Sequence, residues 1–118
     1  MTESPAVIPA DVAESFASML ADETDIYLAS RALKAMGHPL RLKILCILAG
    51  LNETSVQDLV DIVGTSQSNI SQHLSILRDK GILASRKDAN KVYYRIGDDK
   101  ILALMGTMKA TFCASPGH

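Results

Sequence analysis

The chain has 118 residues, 47% of them hydrophobic, and a formal net charge of −1. That length suits one domain with an ordinary core. The longest apolar run, Ile44 to Leu51, has eight residues, too few for a membrane span. The acidic start Met-Thr-Glu-Ser-Pro lacks the apolar core of a signal peptide. A cytoplasmic protein without a membrane partner is expected, with its two cysteines, Cys46 and Cys113, as free thiols.

In chain order, residues 1–10 contain Pro5 and Pro9 and no periodic pattern, and read as a mobile tail. Residues 11–118 then form the folded domain. Val12, Phe16, Met19, Leu20, Ile26, Leu33 and Met36 predict one long amphipathic helix, or two shorter ones, ending near Gly37. An apolar stripe of that length asks for a partner, and a second copy of the chain is the natural one. The next helix begins at His38-Pro39, where proline suits the first turn. It buries Leu40, Ile44, Leu45, Ile47 and Leu48 and ends at Gly50. Thr54 or Ser55 caps a third helix with Val56, Leu59, Val60 and Val63 inward. Gly64 turns the chain into a further helix.

That helix, within Thr65 to Lys80, has Ile70, Leu74 and Leu77 at i, i+4 and i+7, so one face is buried. The other face carries Gln67, Ser68, Ser71, Gln72 and Ser75. Such residues are poor helix formers, but amide and hydroxyl groups suit base edges and phosphates in a major groove. After Gly81, Ile82-Leu83 and Val92-Tyr93-Tyr94 read as two strands around the turn Lys87 to Lys91. Ile101, Leu102, Leu104, Met105, Met108 and Phe112 form a last amphipathic helix, with Cys113 at its end. The fold class is therefore mainly α with a β-hairpin wing: a winged helix-turn-helix, expected to be dimeric.

Charge is distributed unevenly. Residues 1–36 hold Arg31 and Lys34 against six carboxylates, whereas Thr65 to Arg95 carries Arg78, Lys80, Arg86, Lys87, Lys91 and Arg95 against only Asp79 and Asp88. A basic patch on a polar helix is the footprint of nucleic-acid binding. The candidate DNA contacts are Ser66, Gln67, Ser68, Asn69, Ser71, Gln72, His73 and Arg78 on the helix, with Arg86, Lys87, Lys91 and Tyr94 on the wing. A polar helix face that is merely solvated, or a wing used for protein contacts, is the competing reading.

Over residues 23 to 113 the chain resembles the ArsR family of dimeric winged-helix repressors. Leu33 to Leu45 (LKAMGHPLRLKIL) looks like that family's entry into its second helix, and Ser66 to Leu77 (SQSNISQHLSIL) like its recognition helix. The resemblance implies a homodimer built on the first and last helices, bound to an inverted-repeat double-stranded operator and released by an inducer. It implies no enzyme activity. Many such relatives sense metals through a cysteine pair where this chain has Val56-Gln57-Asp58. Others use Asp and His with His and Glu on the last helix, where Asp98-Asp99 is followed by Ile101, Leu102 and Ala103, with no histidine until His118. Carboxylates without imidazole or thiolate do not select zinc, nickel or copper, so no metal and no cofactor are expected. A metal-responsive repressor stands as the alternative.

On spacing alone Cys46 and Cys113 are small core residues. The 66 residues between them do not fit the Cys-x-x-Cys pair of a thiol-disulfide enzyme. The resemblance adds a different role: a cysteine closing Leu-Lys-Ile-Leu-Cys, with another after the aromatic that ends the last helix, looks like the persulfide-sensing branch of the family. There, reactive sulfur species join the two thiols by a disulfide or short polysulfide and DNA is released. Purely structural cysteines are the other possibility.

Overall fold

The computed structural model describes residues 10–113, with side chains from residue 16 onward. The expected N-terminal tail, save Ala10, and His118 lie outside the described residues. The chain divides into two units, one ending at Arg31 and the other starting at Ala32.

The first unit holds α1 (Ala10–Ala21) and the beginning of α2 (Glu23–Met36), so the N-terminal stripe is two helices. Asp22 separates them: its Oδ1 accepts from the Thr24 N–H at 2.8 Å and caps α2, whose first turn carries Glu23 and Asp25, where carboxylates favour the positive end of the helix. Phe16, Leu20, Tyr27 and Leu28 are exposed.

The second unit follows in the order α3 (Pro39–Leu51), β1 (Glu53–Ser55), α4 (Val56–Val63), α5 (Gln67–Asp79), β2 (Leu83–Asp88), β3 (Lys91–Ile96) and α6 (Asp99–Phe112). His38 caps α3, its Nδ1 accepting from the Leu40 N–H at 3.1 Å. The helix runs through Gly50 to Leu51, one residue beyond the expected end. Asn52 takes the positive φ there, at 76°.

Ser55 caps α4 through an Oγ that accepts from the Asp58 N–H at 3.1 Å. Gly64 ends that helix with φ 80° and ψ 33°, the left-handed region in which a side chain costs roughly 1–2 kcal/mol. Ser66 caps α5 by accepting from the Asn69 N–H at 3.1 Å. Each junction is thus closed by a residue suited to it, and α4, the turn and α5 form the helix-turn-helix.

The hairpin is longer than expected. Its strands reach Asp88 and start again at Lys91, leaving Ala89 and Asn90 as the loop, with Ala89 at φ 55°. A third strand accompanies it: β1 pairs antiparallel with β3, Glu53 opposite Arg95 and Ser55 opposite Tyr93, giving the order β1-β3-β2. The sheet therefore reaches back to the residues that open α4.

The core joins α3 (Ile44, Leu45, Leu48), α4 (Leu59), α5 (Ile70, Leu74, Leu77), the sheet (Leu83, Tyr94) and α6 (Ile101, Met105). Burying each large aliphatic side chain contributes about 1.5–3 kcal/mol before entropy is counted. This packing holds α5 with its polar side outward.

Candidate nucleic-acid interface and thiol pair

Gln67, Ser68, Gln72, Ser75 and Arg78 are exposed on one side of α5, and Ser71 is half-buried beside them. Ser66 and Asn69 are committed locally. Ser66 Oγ caps the helix, and the Asn69 side-chain amide donates to Thr65 Oγ1 at 3.1 Å. On the wing, Lys87 and Lys91 project exposed near the loop.

Two expected contacts, His73 and Tyr94, are buried, and a third, Arg86, is exposed on the wing but paired. His73 is 9% exposed, and its ring lies 4.5 Å from that of His38 at an interplanar angle of 40°. It packs α5 onto the start of α3 instead of facing outward. Its pKa is pushed below the usual imidazole value by burial, and then by the charges of His38 and Arg41. Tyr94 is 7% exposed and belongs to the core. Arg86 is held by Glu53: Nε and Nη2 donate to the two carboxylate oxygens at 2.8 Å each, and the guanidinium lies 4.7 Å from the centre of the Tyr93 ring. It fastens β2 to β1 across β3. Glu53 was absent from the expected site, and only the fold brings it to Arg86, 33 residues along the chain.

The hydrogen bonds from Arg86 hold the Glu53 carboxyl below its ordinary pKa, outweighing its desolvation. A depressed carboxylate stabilises the fold above its unfolded pKa and ceases to do so as pH falls through the folded value. Glu53→Gln should therefore be less stable than the natural chain at pH 7, and the difference should shrink as pH falls below the ordinary carboxylate range. Urea denaturation at pH 7 and pH 3 measures it, and an unchanged difference at pH 3 would refute the assignment.

Between α4, α5 and the hairpin lies a polar groove of about 370 Å³, lined by Gln57, Gln67, Ser71, Asn90 and Lys91 among others. It connects the exposed side of α5 to the wing loop.

Cys46 on α3 and Cys113, the C-cap of α6, are both exposed free thiols and not the core residues that spacing alone suggested. The helices that carry them pack together. Partial burial raises the Cys46 pKa, and the proximity of Cys113 raises it further. Among the described residues, no group of three or more His, Cys, Asp or Glu side chains is gathered as a metal ion would require. Asp98, at one of the positions considered for a metal, instead caps α6, accepting from the Lys100 N–H at 2.9 Å. No helix of the described residues is long and apolar enough to cross a membrane.

The family model described as bacterial regulatory protein, arsR family, matches residues 38–85. The biofilm growth-associated repressor of Agrobacterium fabrum is 35% identical over 115 residues, 97% of this chain and 95% of its own. This chain belongs to the ArsR family. The Escherichia coli HTH-type transcriptional regulator YgaV is 44% identical over 85 residues, 72% of this chain and 86% of its own. HlyU of Vibrio cholerae, described as a transcriptional activator, has a solved structure that superposes with a TM-score of 0.75 at 37% identity, covering 78% of this chain and 99% of that one. The winged-helix fold and the role of transcriptional regulator follow from membership in this ArsR family.

Proposed function

We propose that this ArsR-family regulator is a homodimeric, cytoplasmic repressor that binds an inverted-repeat operator through α5 and the wing, and that it lets go when Cys46 and Cys113 become covalently linked. The observation that carries the reading is the thiol pair: two accessible cysteines on packed helices, near enough for the charge of one to disfavour ionisation of the other. Base contacts are assigned to Gln67, Ser68, Ser71 and Gln72, and phosphate contacts to Arg78, Lys87 and Lys91. The dimer reading is supported by apolar side chains uncovered on a single chain, among them Phe16, Leu20 and Leu28 and, on α6, Leu102 and Phe112. The direction of control follows the name of the Agrobacterium repressor.

The chemistry balances with a hydropersulfide, RSSH, as oxidant. One protein thiolate attacks its terminal sulfur, giving a protein persulfide and the thiol RSH. The second thiolate attacks the inner sulfur of that persulfide, forming the disulfide and releasing hydrogen sulfide. When both cysteines have become persulfides, attack of one on the other leaves a three-sulfur bridge and again releases hydrogen sulfide. Because the thiolate is the nucleophile and the Cys46 pKa is raised, linkage should accelerate with rising pH. A bridge from α3 to α6 would tie the recognition unit to a helix of the proposed dimer interface and bias the presentation of the two α5 helices.

Intact-mass spectrometry beside a DNA-binding assay tests this. Persulfide treatment should remove two hydrogens per chain, with or without added sulfur, and release DNA. Cys46→Ser and Cys113→Ser should bind DNA and ignore the treatment. Release from either single variant, or release of the natural chain by one equivalent of zinc, would sink the proposal.

A further inference from the structure

A second cavity opens between the first turn of α3 and the first turn of α5, with a volume of about 540 Å³. Its walls include His38 and Lys43 from α3, Val63 at the end of α4, and Thr65, Asn69 and His73 from the α5 side. The thiol pair and the outward face of α5 do not use it. Its charges have one sign. α3 supplies His38 and Lys43, with Arg41 acting on His73 from the same helix. α4 contributes only Val63 and Gly64. α5 adds the His73 imidazole beside the neutral Thr65 and Asn69. No carboxylate lines the cavity, and the salt bridges among the described residues lie on the sheet, around Arg86.

Two further observations show polar nitrogens beside Lys43 that are free to meet a ligand. The buried His73 Nδ1 and Arg41 Nε both lack hydrogen-bond partners. His38 Nδ1 is occupied as the acceptor that caps α3, so a neutral His38 carries its proton on Nε2 and has a donor left to offer. The starts of two 13-residue helices, α3 and α5, border the space and add their partial positive charge. A cleft walled by charge of one sign concentrates its counter-ion.

We propose that this cavity binds a small phosphate-like oxyanion, presented either by the operator backbone or as a free ion. The anion supplies the counter-charge that Lys43 lacks and an acceptor for the imidazoles of His38 and His73. Since an anion favours the protonated His73 imidazole, while His38 keeps Nδ1 as the acceptor that caps α3, occupancy and proton uptake at His73 are linked, and binding tightens as pH falls. The backbone source rests on the DNA-binding reading; the free-ion source does not.

The test uses the reduced full chain and follows the imidazole nitrogens of His38 and His73 by NMR at pH 6.5. Inorganic phosphate is titrated against chloride at matched ionic strength. Saturable shifts of both histidines and an upward movement of the His73 titration are expected, with about tenfold weaker phosphate binding in Lys43→Gln. Operator DNA then separates the sources. Competition between phosphate and DNA, with a salt slope of DNA binding reduced by about one in Lys43→Gln, identifies the backbone. Phosphate binding that leaves DNA affinity and slope unchanged identifies a free ion. Absence of saturable shifts, or equal phosphate binding by the natural chain and Lys43→Gln, overturns the proposal whether or not DNA binds. His73→Gln, monitored for folding, should lose the pH dependence of phosphate binding.

Discussion

Replacing Gln72 by alanine should lower the preference for operator over random DNA by about 1–3 kcal/mol, the worth of one bidentate base contact. Gln72 is exposed on α5, while Leu74 and Leu77 beside it are buried, so removing its amide should leave the core unchanged. Lys91→Ala on the wing should behave in a complementary way. It should weaken operator and random DNA alike and reduce the slope of log affinity against log salt by about 0.9, one phosphate's worth of released counterion. Titrations of both variants at several salt concentrations decide the matter. If Lys91→Ala altered sequence preference while Gln72→Ala altered only the salt slope, the assigned roles would be reversed.

The second large effect concerns folding. Leu74 is 1% exposed and belongs to the cluster that includes Ile44, Leu45, Leu48 and Leu59. Leu74→Ala removes its outer carbons from close-packed surroundings and should cost about 2–5 kcal/mol, a large part of the roughly 5–15 kcal/mol that holds a typical domain together. Urea unfolding, compared at equal protein concentration because the stability of the proposed dimer would depend on it, should show a lower midpoint with the slope retained. A loss well under about 1 kcal/mol would mean that α5 is not anchored through this residue.

Much of the fold was legible because helical periodicity and end signals agree. Ser55, Gly64 and Ser66 occupy the very junctions at which such residues relieve unpaired backbone groups. β1 was not legible. Glu53, Thr54 and Ser55 have no strand pattern of their own and become a strand only because β3 lies alongside. His73 and Tyr94 were misplaced by weighting chemical type over period. His73 falls three residues after Ile70 and four before Leu77, on the buried face, and Tyr94 shares a strand face with the apolar Val92 and Ile96, so each spacing held the correction. Arg86 held no such clue, since its partner is fixed only by the three-stranded register.

That register has a mechanical consequence. Because β1 leads directly into α4, which packs on α5, while β1 is also hydrogen-bonded to β3, the helix-turn-helix and the wing are not two arms on separate hinges. Arg86, seated on Glu53, is a rivet through the plate that joins them. A lever of this kind turns as a whole, so a small rotation imposed from α3 or α6 would carry helix and wing out of register with the duplex together. Control of such a protein would act on where each half of the operator lies, leaving the contacts within either half intact.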